Sequence, residues 1–261
     1  MSLETPSPPP EVTYTDTHRA FFAYLRLVQL LSQSQAKRVL VHLDNSSSLD
    51  VDDVVTEINS RIGEHGFKIE RKIDEVTAEL NYIFINFVND AIARRATSFT
   101  PAELECIKHL IDDIVEADNY KFSIGLNNAR RKAKDEMALT LDDADFFIRR
   151  LVDTGWFEIH NDQVYMSQRA LAELKGWLAD RYVDLGLLLL CKQCHDWVTV
   201  GYMTDDGAFH KTCFVPYQRQ HPGIDSKKIG RPDAFAPTET EWDNLRLSWE
   251  VYHIVTDVQF N

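Results

Sequence analysis

The chain has 261 residues, 44% of them apolar and 26% charged, with only 10 glycines and 9 prolines. That balance describes a soluble, mostly helical (α+β) protein with material for two or three domains, and no apolar run approaches the roughly 20 residues of a membrane span. The net charge of −13 opposes indiscriminate attraction to nucleic-acid phosphates or anionic lipid, so any DNA contact has to use a local basic patch.

Residues 1–13, with Ser7-Pro8-Pro9-Pro10 among them, lack the apolar content to pack and read as a loose tail. Met1 to Pro10 has neither the basic start nor the apolar stretch of a secretory leader. From Asp16 the periodicity predicts helices over 16–31, 34–43 and 50–64, then strands over 67–73 and 80–88. Three helices and a hairpin make a winged-helix pattern, assigned to residues 14–97, in which Val51, Val54, Val55, Ile58 and Ile62 form the core stripe of the third helix.

The first helix carries two apolar rows, Phe21, Leu25 and Val28 beside Ala20, Tyr24, Leu27 and Leu31. One row serves the local core. The other needs cover from the wing, a neighbouring domain or another protein, which makes Phe21, Tyr24, Leu25, Leu27, Val28 and Leu31 the candidate partner-binding face.

The same order of elements recurs over residues 98–184. Thr100-Pro101-Ala102-Glu103 is a capping box opening a helix to about 117, and Cys106 on its flank reads as an inert packing residue. A second helix is expected over 123–134 and a third from Thr140 to Thr154, with Ala144, Phe147, Ile148 and Leu151 inward. Strands over 156–160 and 163–166, joined at Asn161-Asp162, lead into a helix over 168–182.

Winged helices often read DNA with the third helix, but here those helices carry Asp52, Asp53 and Glu57, and Asp142, Asp143 and Asp145. Acidic groups suit a helix N-terminus and repel phosphate. The basic clusters Arg94-Arg95, Arg130-Arg131-Lys132 with Lys134, and Arg149-Arg150 read first as solvated faces; Arg130, Arg131, Lys132 and Lys134 are the candidates for a weak nucleic-acid contact.

Three of the chain's four cysteines fall in Cys191-Lys-Gln-Cys194 and His210-Lys-Thr-Cys213. Two close donor pairs on separate segments can converge tetrahedrally on one Zn²⁺, and the spacer has room for a hairpin turned at Asp205-Asp206-Gly207. Cysteines so used fit a reducing compartment rather than a disulfide framework. Cys191-Lys-Gln-Cys194-His195 also spells a c-type haem attachment motif, a reading that leaves His210 and Cys213 without a purpose. In the zinc reading, His195 is a knuckle residue exposed to water or a spare ligand. No glycine-rich phosphate loop or nucleophile elbow stands out, and Asp112-Asp113 reads as ordinary helix surface.

Two winged helices followed by Cys-x2-Cys-His and His-x2-Cys resemble the non-structural maintenance of chromosomes element 1 family. The segments 14–21, 143–156, 163–166 and Arg169-Ala170 add to the resemblance, which covers about residues 14–214. It implies a nuclear, chromatin-associated subunit of the five-six type SMC complex, acting in DNA repair and chromosome maintenance. It also implies pairing with a MAGE-like subunit, non-SMC element 3, and through it with the kleisin subunit and the SMC core, so that DNA is met mainly indirectly. The family's C-terminal module is a variant RING with two zinc ions in a cross-brace.

In this chain Cys191, Cys194, His210 and Cys213 match the first of those sites. The second site's cysteine pairs are missing from 202–207 and from the stretch after Cys213, and His221, Asp225 and Asp233 lack paired spacing. The expectation is therefore a degenerate, single-zinc RING-like module in 185–261. Whether it still docks a ubiquitin-conjugating enzyme as a ubiquitin ligase, or has weakened or lost that activity, stays open, and a zinc-containing DNA-binding regulator is the other alternative to the adaptor reading. Trp242, Leu245, Leu247, Trp249, Val251, Tyr252, Ile254 and Val255 supply apolar surface for packing on the module or on a partner.

Overall fold

The computed structural model describes residues 14–44, 49–87 and 99–235. The N-terminal tail, Arg94-Arg95 and the apolar residues from Trp242 onward lie outside the described residues.

The first unit orders as α1 (Asp16–Val28), β1 (Leu30–Ser32), α2 (Gln33–Asp44), α3 (Val51–Ile62), β2 (Phe67–Ile73) and β3 (Leu80–Asn86), with the antiparallel sheet order β1-β3-β2. The α3 stripe read from periodicity is buried in full, against Phe21, Leu25, Leu40, Ile69 and Tyr82. Asp50 caps α3 by accepting the Asp52 N–H at 2.7 Å. Asn59 ties α3 to the wing, accepting the Ile69 N–H at 2.7 Å and donating to the Ile69 carbonyl at 2.9 Å.

The expected first helix over 16–31 is too long. Gln29 turns left-handed (φ 69°), its N–H closing on the Leu25 carbonyl, and the chain leaves as β1, pairing Leu30 with Ile83 and Leu31 with Tyr82. Leu31 is therefore a core strand residue and not part of a helical row.

The second unit orders as α4 (Pro101–Val115), β4 (Ile124–Gly125), α5 (Leu126–Met137), α6 (Leu141–Asp153), β5 (Phe157–His160), β6 (Gln163–Met166), α7 (Gln168–Glu173) and α8 (Lys175–Tyr182), with sheet order β4-β6-β5. Both halves of the capping box form at α4: the Thr100 N–H donates to Glu103 Oε2 at 2.7 Å, and the Glu103 N–H to Thr100 Oγ1 at 3.3 Å. Thr100→Ala should cost about 1 kcal/mol of this unit's stability, read from its denaturant midpoint. The hairpin turn at Asn161-Asp162 has φ of 50° and 57°, the two-residue primed turn those side chains favour.

Two sequence expectations change here. The helix over 168–182 is interrupted at Leu174 (φ −90°, ψ 7°), which separates α7 from α8, while Leu171, Leu174 and Leu178 stay in one core. Asp112 is not idle surface: it accepts from Arg181 Nε at 2.9 Å and Nη2 at 2.8 Å and from the Tyr182 hydroxyl, fastening α8 to α4.

The two units pack through β3 and α7. Ile83 and Ile85 bury against Ala172, and Asn81 donates to Gln168 Oε1 at 2.7 Å. This mostly α architecture of tandem winged helices is completed by β7 (Leu189–Leu190), β8 (Trp197–Val198), β9 (Gly201–Thr204), β10 (Gly207–His210), α9 (Lys211–Gln220) and β11 (Lys227–Ile229). The β9–β10 hairpin turns where Asp205-Asp206-Gly207 predicts, while β11, which adds to β9 from across the module, had no local signature. Leu188 and Trp197 reach back into the core of the second unit. Among the described residues no helix is long and apolar enough to cross a membrane.

Candidate metal centre

Three backbone bonds shape the knuckle that aims the first two sulfurs: Cys191 N–H donates to Asp196 O at 2.9 Å, His195 N–H to Cys191 O at 2.9 Å and Lys192 N–H to Ala208 O at 2.9 Å. On the opposite hairpin His210 stands in register with Gly201. Gly201 is required there, since a Cβ would lie 2.1 Å from the Phe209 carbonyl oxygen. β10 delivers His210, and the first turn of α9 delivers Cys213.

The ligand atoms of Cys191, Cys194, His210 and Cys213 all lie within 4.8 Å of one another, and among the described residues no other Cys, His, Asp and Glu cluster could hold a metal ion. His210 Nδ1 is 3.2 Å from Cys194 Sγ and 3.9 Å from Cys213 Sγ. A tetrahedral Zn²⁺ with bonds of about 2.0–2.3 Å needs ligand separations of roughly 3.3–3.8 Å, so the two His210 separations lie close to that range and the rest of the set has to draw in by at most about 1 Å to enclose an ion.

The other ring nitrogen is already committed. His210 Nε2 lies 2.7 Å from the Trp197 carbonyl oxygen and 3.0 Å from Glu75 Oε1, which keeps the proton on Nε2 and turns the Nδ1 lone pair toward the sulfurs. Glu75 comes from the turn between β2 and β3, far away in sequence, and nothing in the local pattern marks it.

Electrostatics at the four groups favour a cation. Burial opposes ionisation of Cys191, but the N–H groups of Cys194, His210 and Gln193 outweigh it and bring the thiol down to about 7. Burial, with the neighbouring sulfurs of Cys191 and Cys194, pushes Cys213 up to about 12. Burial lowers the His210 imidazole, while Glu75, the Trp197 carbonyl and Cys194 together drive it up to about 10. Three sulfurs in one small volume cannot all ionise without positive charge among them, and a divalent cation supplies what a shared proton supplies only in part.

The alternatives read from the sequence separate cleanly. His195 is exposed (φ 59°) and outside the cluster, and Cys191 is fully buried beside His210 and Cys213, leaving no room for a porphyrin at its sulfur. His221 stacks on Tyr217 at 4.2 Å and, like Asp225, is exposed. Cys106 is buried in the second unit's core, its thiol raised to about 12 by burial and by Glu136, as suits a packing residue.

The proposed partner face divides. Phe21, Leu25 and Leu31 are core residues of the first unit and are removed from that face, whereas Tyr24, Leu27 and Val28 are exposed, Leu27 at 79%. The basic cluster on α5 is largely answered from within: Arg130 meets Asp145 at 2.5 Å, Lys132 meets Asp113 at 2.6 Å and Lys134 meets Asp135 at 3.8 Å, while Arg131 donates to Asn128 at 2.5 Å. Three of the four charges are thus paired with carboxylates, while Arg131 meets a neutral amide.

Comparison with known proteins agrees with this architecture. The chain is 26% identical over 200 residues to non-structural maintenance of chromosomes element 1 of Schizosaccharomyces pombe, covering 76% of this chain and 85% of that protein. It is 22% identical over 211 residues to the Homo sapiens homolog, covering 78% of each. A chain of a solved Nse1-Nse3-Nse4 complex shares its fold with a TM-score of 0.69 at 18% identity, over 79% of this chain and 92% of that one. The model of the Nse1 non-SMC component of SMC5-6 complex family matches residues 18–174, more than half of the sequence, and the chain belongs to that family.

Proposed function

We propose that the chain is a nuclear, chromatin-associated adaptor of the SMC5-6 complex, pairing with a MAGE-like Nse3 subunit and through it with the kleisin Nse4 and the SMC core in DNA repair and chromosome maintenance. The family match carries this reading. Its three units are drawn at 14–97, 98–184 and 185–261. Tyr24, Leu27 and Val28 form the partner-facing row, and DNA is reached mainly through the other subunits. One zinc ion in Cys191, Cys194, His210 and Cys213 is the cofactor, argued from three thiols and an imidazole whose ligand atoms all lie within 4.8 Å of one another. A tagged chain should recover Nse3-like and Nse4-like subunits with about one zinc per chain; recovery of neither subunit in gentle salt would sink the adaptor reading.

A second reading, RING-type ubiquitin transfer, draws on the packing of the segments where a second zinc site would sit. Tyr202 stacks on Phe214 at 4.6 Å, Phe209 on Tyr217 at 4.3 Å, and Phe235 meets Tyr202 at 5.5 Å. Aromatic packing of this kind orders the hairpin and α9 as a second metal would, and a rigid surface is what docking of a charged ubiquitin-conjugating enzyme requires. Ubiquitin chains stimulated by the Nse3-like partner and abolished by Cys191→Ser would establish it.

A further inference from the structure

The turn between β2 and β3 is built to project one carboxylate. Asp74 Oδ1 accepts the Val76 N–H at 2.9 Å and the Thr77 N–H at 2.7 Å, closing a rigid loop whose next residue, Glu75, leaves the first winged helix altogether. Glu75 Oε1 accepts the Thr199 N–H at 3.1 Å, and Oε2 accepts the Val200 N–H at 3.1 Å and the Thr199 hydroxyl. The same carboxylate reaches His210 Nε2 at 3.0 Å with its side chain only 10% exposed. A buried carboxylate with this many donors is a costly feature unless each bond is made.

Two cations flank the contact. Lys72, buried on β2, meets Asp196 of the metal knuckle at 3.2 Å, and Lys211, next to His210, donates to the Val76 carbonyl at 2.9 Å. The Asp196 carbonyl in turn accepts the Cys191 N–H. Ligand segments on both sides of the metal centre are thus held by the wing tip of a domain more than a hundred residues upstream. The loop carrying Thr199 is packed from its other side by Gly230 (φ 82°), so close that a Cβ there would lie 2.0 Å from the Thr199 carbonyl oxygen.

We infer that Glu75 is a positioning residue of the metal centre, and that through it metal loading and docking of the first winged-helix wing onto the C-terminal module stabilise each other. The inference rests on the zinc reading above. Glu75 fixes the orientation and tautomer of His210 when the ion is bound, and the bound ion holds His210 where Glu75 can reach it. By linkage, whatever holds the wing in place slows metal loss, and whatever removes the metal loosens the wing.

The full-length protein tests this with a chromophoric chelator, comparing wild type, Glu75→Gln, Glu75→Ala and, as an exposed control, Glu64→Gln. Glu75→Gln should release zinc about 10-fold faster with unchanged far-UV circular dichroism, Glu75→Ala faster still, and the control at the wild-type rate. In the wild-type chain, which needs no variant to fold, metal removal should raise hydrogen exchange at residues 73–79 as well as in the module. Wild type that never carries metal overturns the zinc reading and this inference together. Loaded wild type with Glu75→Gln releasing zinc at the same rate, or with residues 73–79 equally protected in both states, overturns this inference alone.

Discussion

Removing the metal, by chelation or by Cys213→Ser, should unfold most of residues 189–235 while both winged-helix units stay folded. Among the described residues, Cys191, Val198, Ala208, Phe209, Phe214 and Ile229 make up the module's buried cluster. A segment of about fifty residues with so small a core does not ordinarily hold itself together without a metal or disulfides. A structural zinc in small zinc-finger peptides supplies on the order of 10–16 kcal/mol at neutral pH, and an ion in this donor set would act on a module with few other buried contacts. Loss of it leaves three thiols and a buried imidazole close together without the charge that satisfies them.

The expected damage is graded. Leu188 and Trp197 are packed in the second unit's core, and Asp196 is held by Lys72 and Lys175, so β7 and β8 should fray last. The β9–β10 hairpin, α9 and β11, whose contacts are mostly with one another, should go first. Limited proteolysis with and without chelator measures this, with new cleavage expected between about residues 200 and 230. A metal-free chain that resists protease over that stretch as well as the loaded one rules the prediction out. Acid should act in the same direction as chelation, because thiolates and neutral imidazole are the ligating forms and protonation competes for both.

How far the sequence reached is set by the range of the interactions involved. The α3 stripe, the capping box at Thr100, the strand over 67–73 and the turn at Asn161-Asp162 are decided by residues within one or two turns of each other, and each is found as periodicity and cap chemistry predict. The four candidate metal ligands were legible for a related reason: two residues between the donors of each pair is a geometric requirement visible in the chain itself. What escaped was non-local. β1 continues the apolar rows of α1 without interruption, and only its pairing with Ile83 and Tyr82 tells strand from helix. Glu75 is one acidic residue among many in the sequence, and its role exists only once the wing has met the 198–200 loop. Asp112 looked idle because Arg181 and Tyr182 arrive from the far end of the unit.

Phe21→Ala and Leu27→Asp, neighbours on α1 with opposite environments, should separate folding from partner binding. Phe21 is fully buried among Leu25, Val54, Ile58 and Tyr82, and emptying that volume should cost about 3–5 kcal/mol, enough to lower the first unit's melting temperature by many degrees. Any loss of Nse3-like partner seen with that variant would follow from unfolding and would say nothing about contact. Leu27 is 79% exposed, and a charge there should leave isolated stability within about 0.5 kcal/mol. If Tyr24, Leu27 and Val28 are the row the partner covers, the same charge would be driven into an apolar interface, weakening association at least about 30-fold, as a 2 kcal/mol hot spot requires. Melting curves of the free chain and quantitative pull-down of the complex read the two effects independently. Undiminished recovery of the partner by Leu27→Asp would move the docking surface off α1, leaving the width of its apolar face explained by the burial of Phe21 and Leu25 alone.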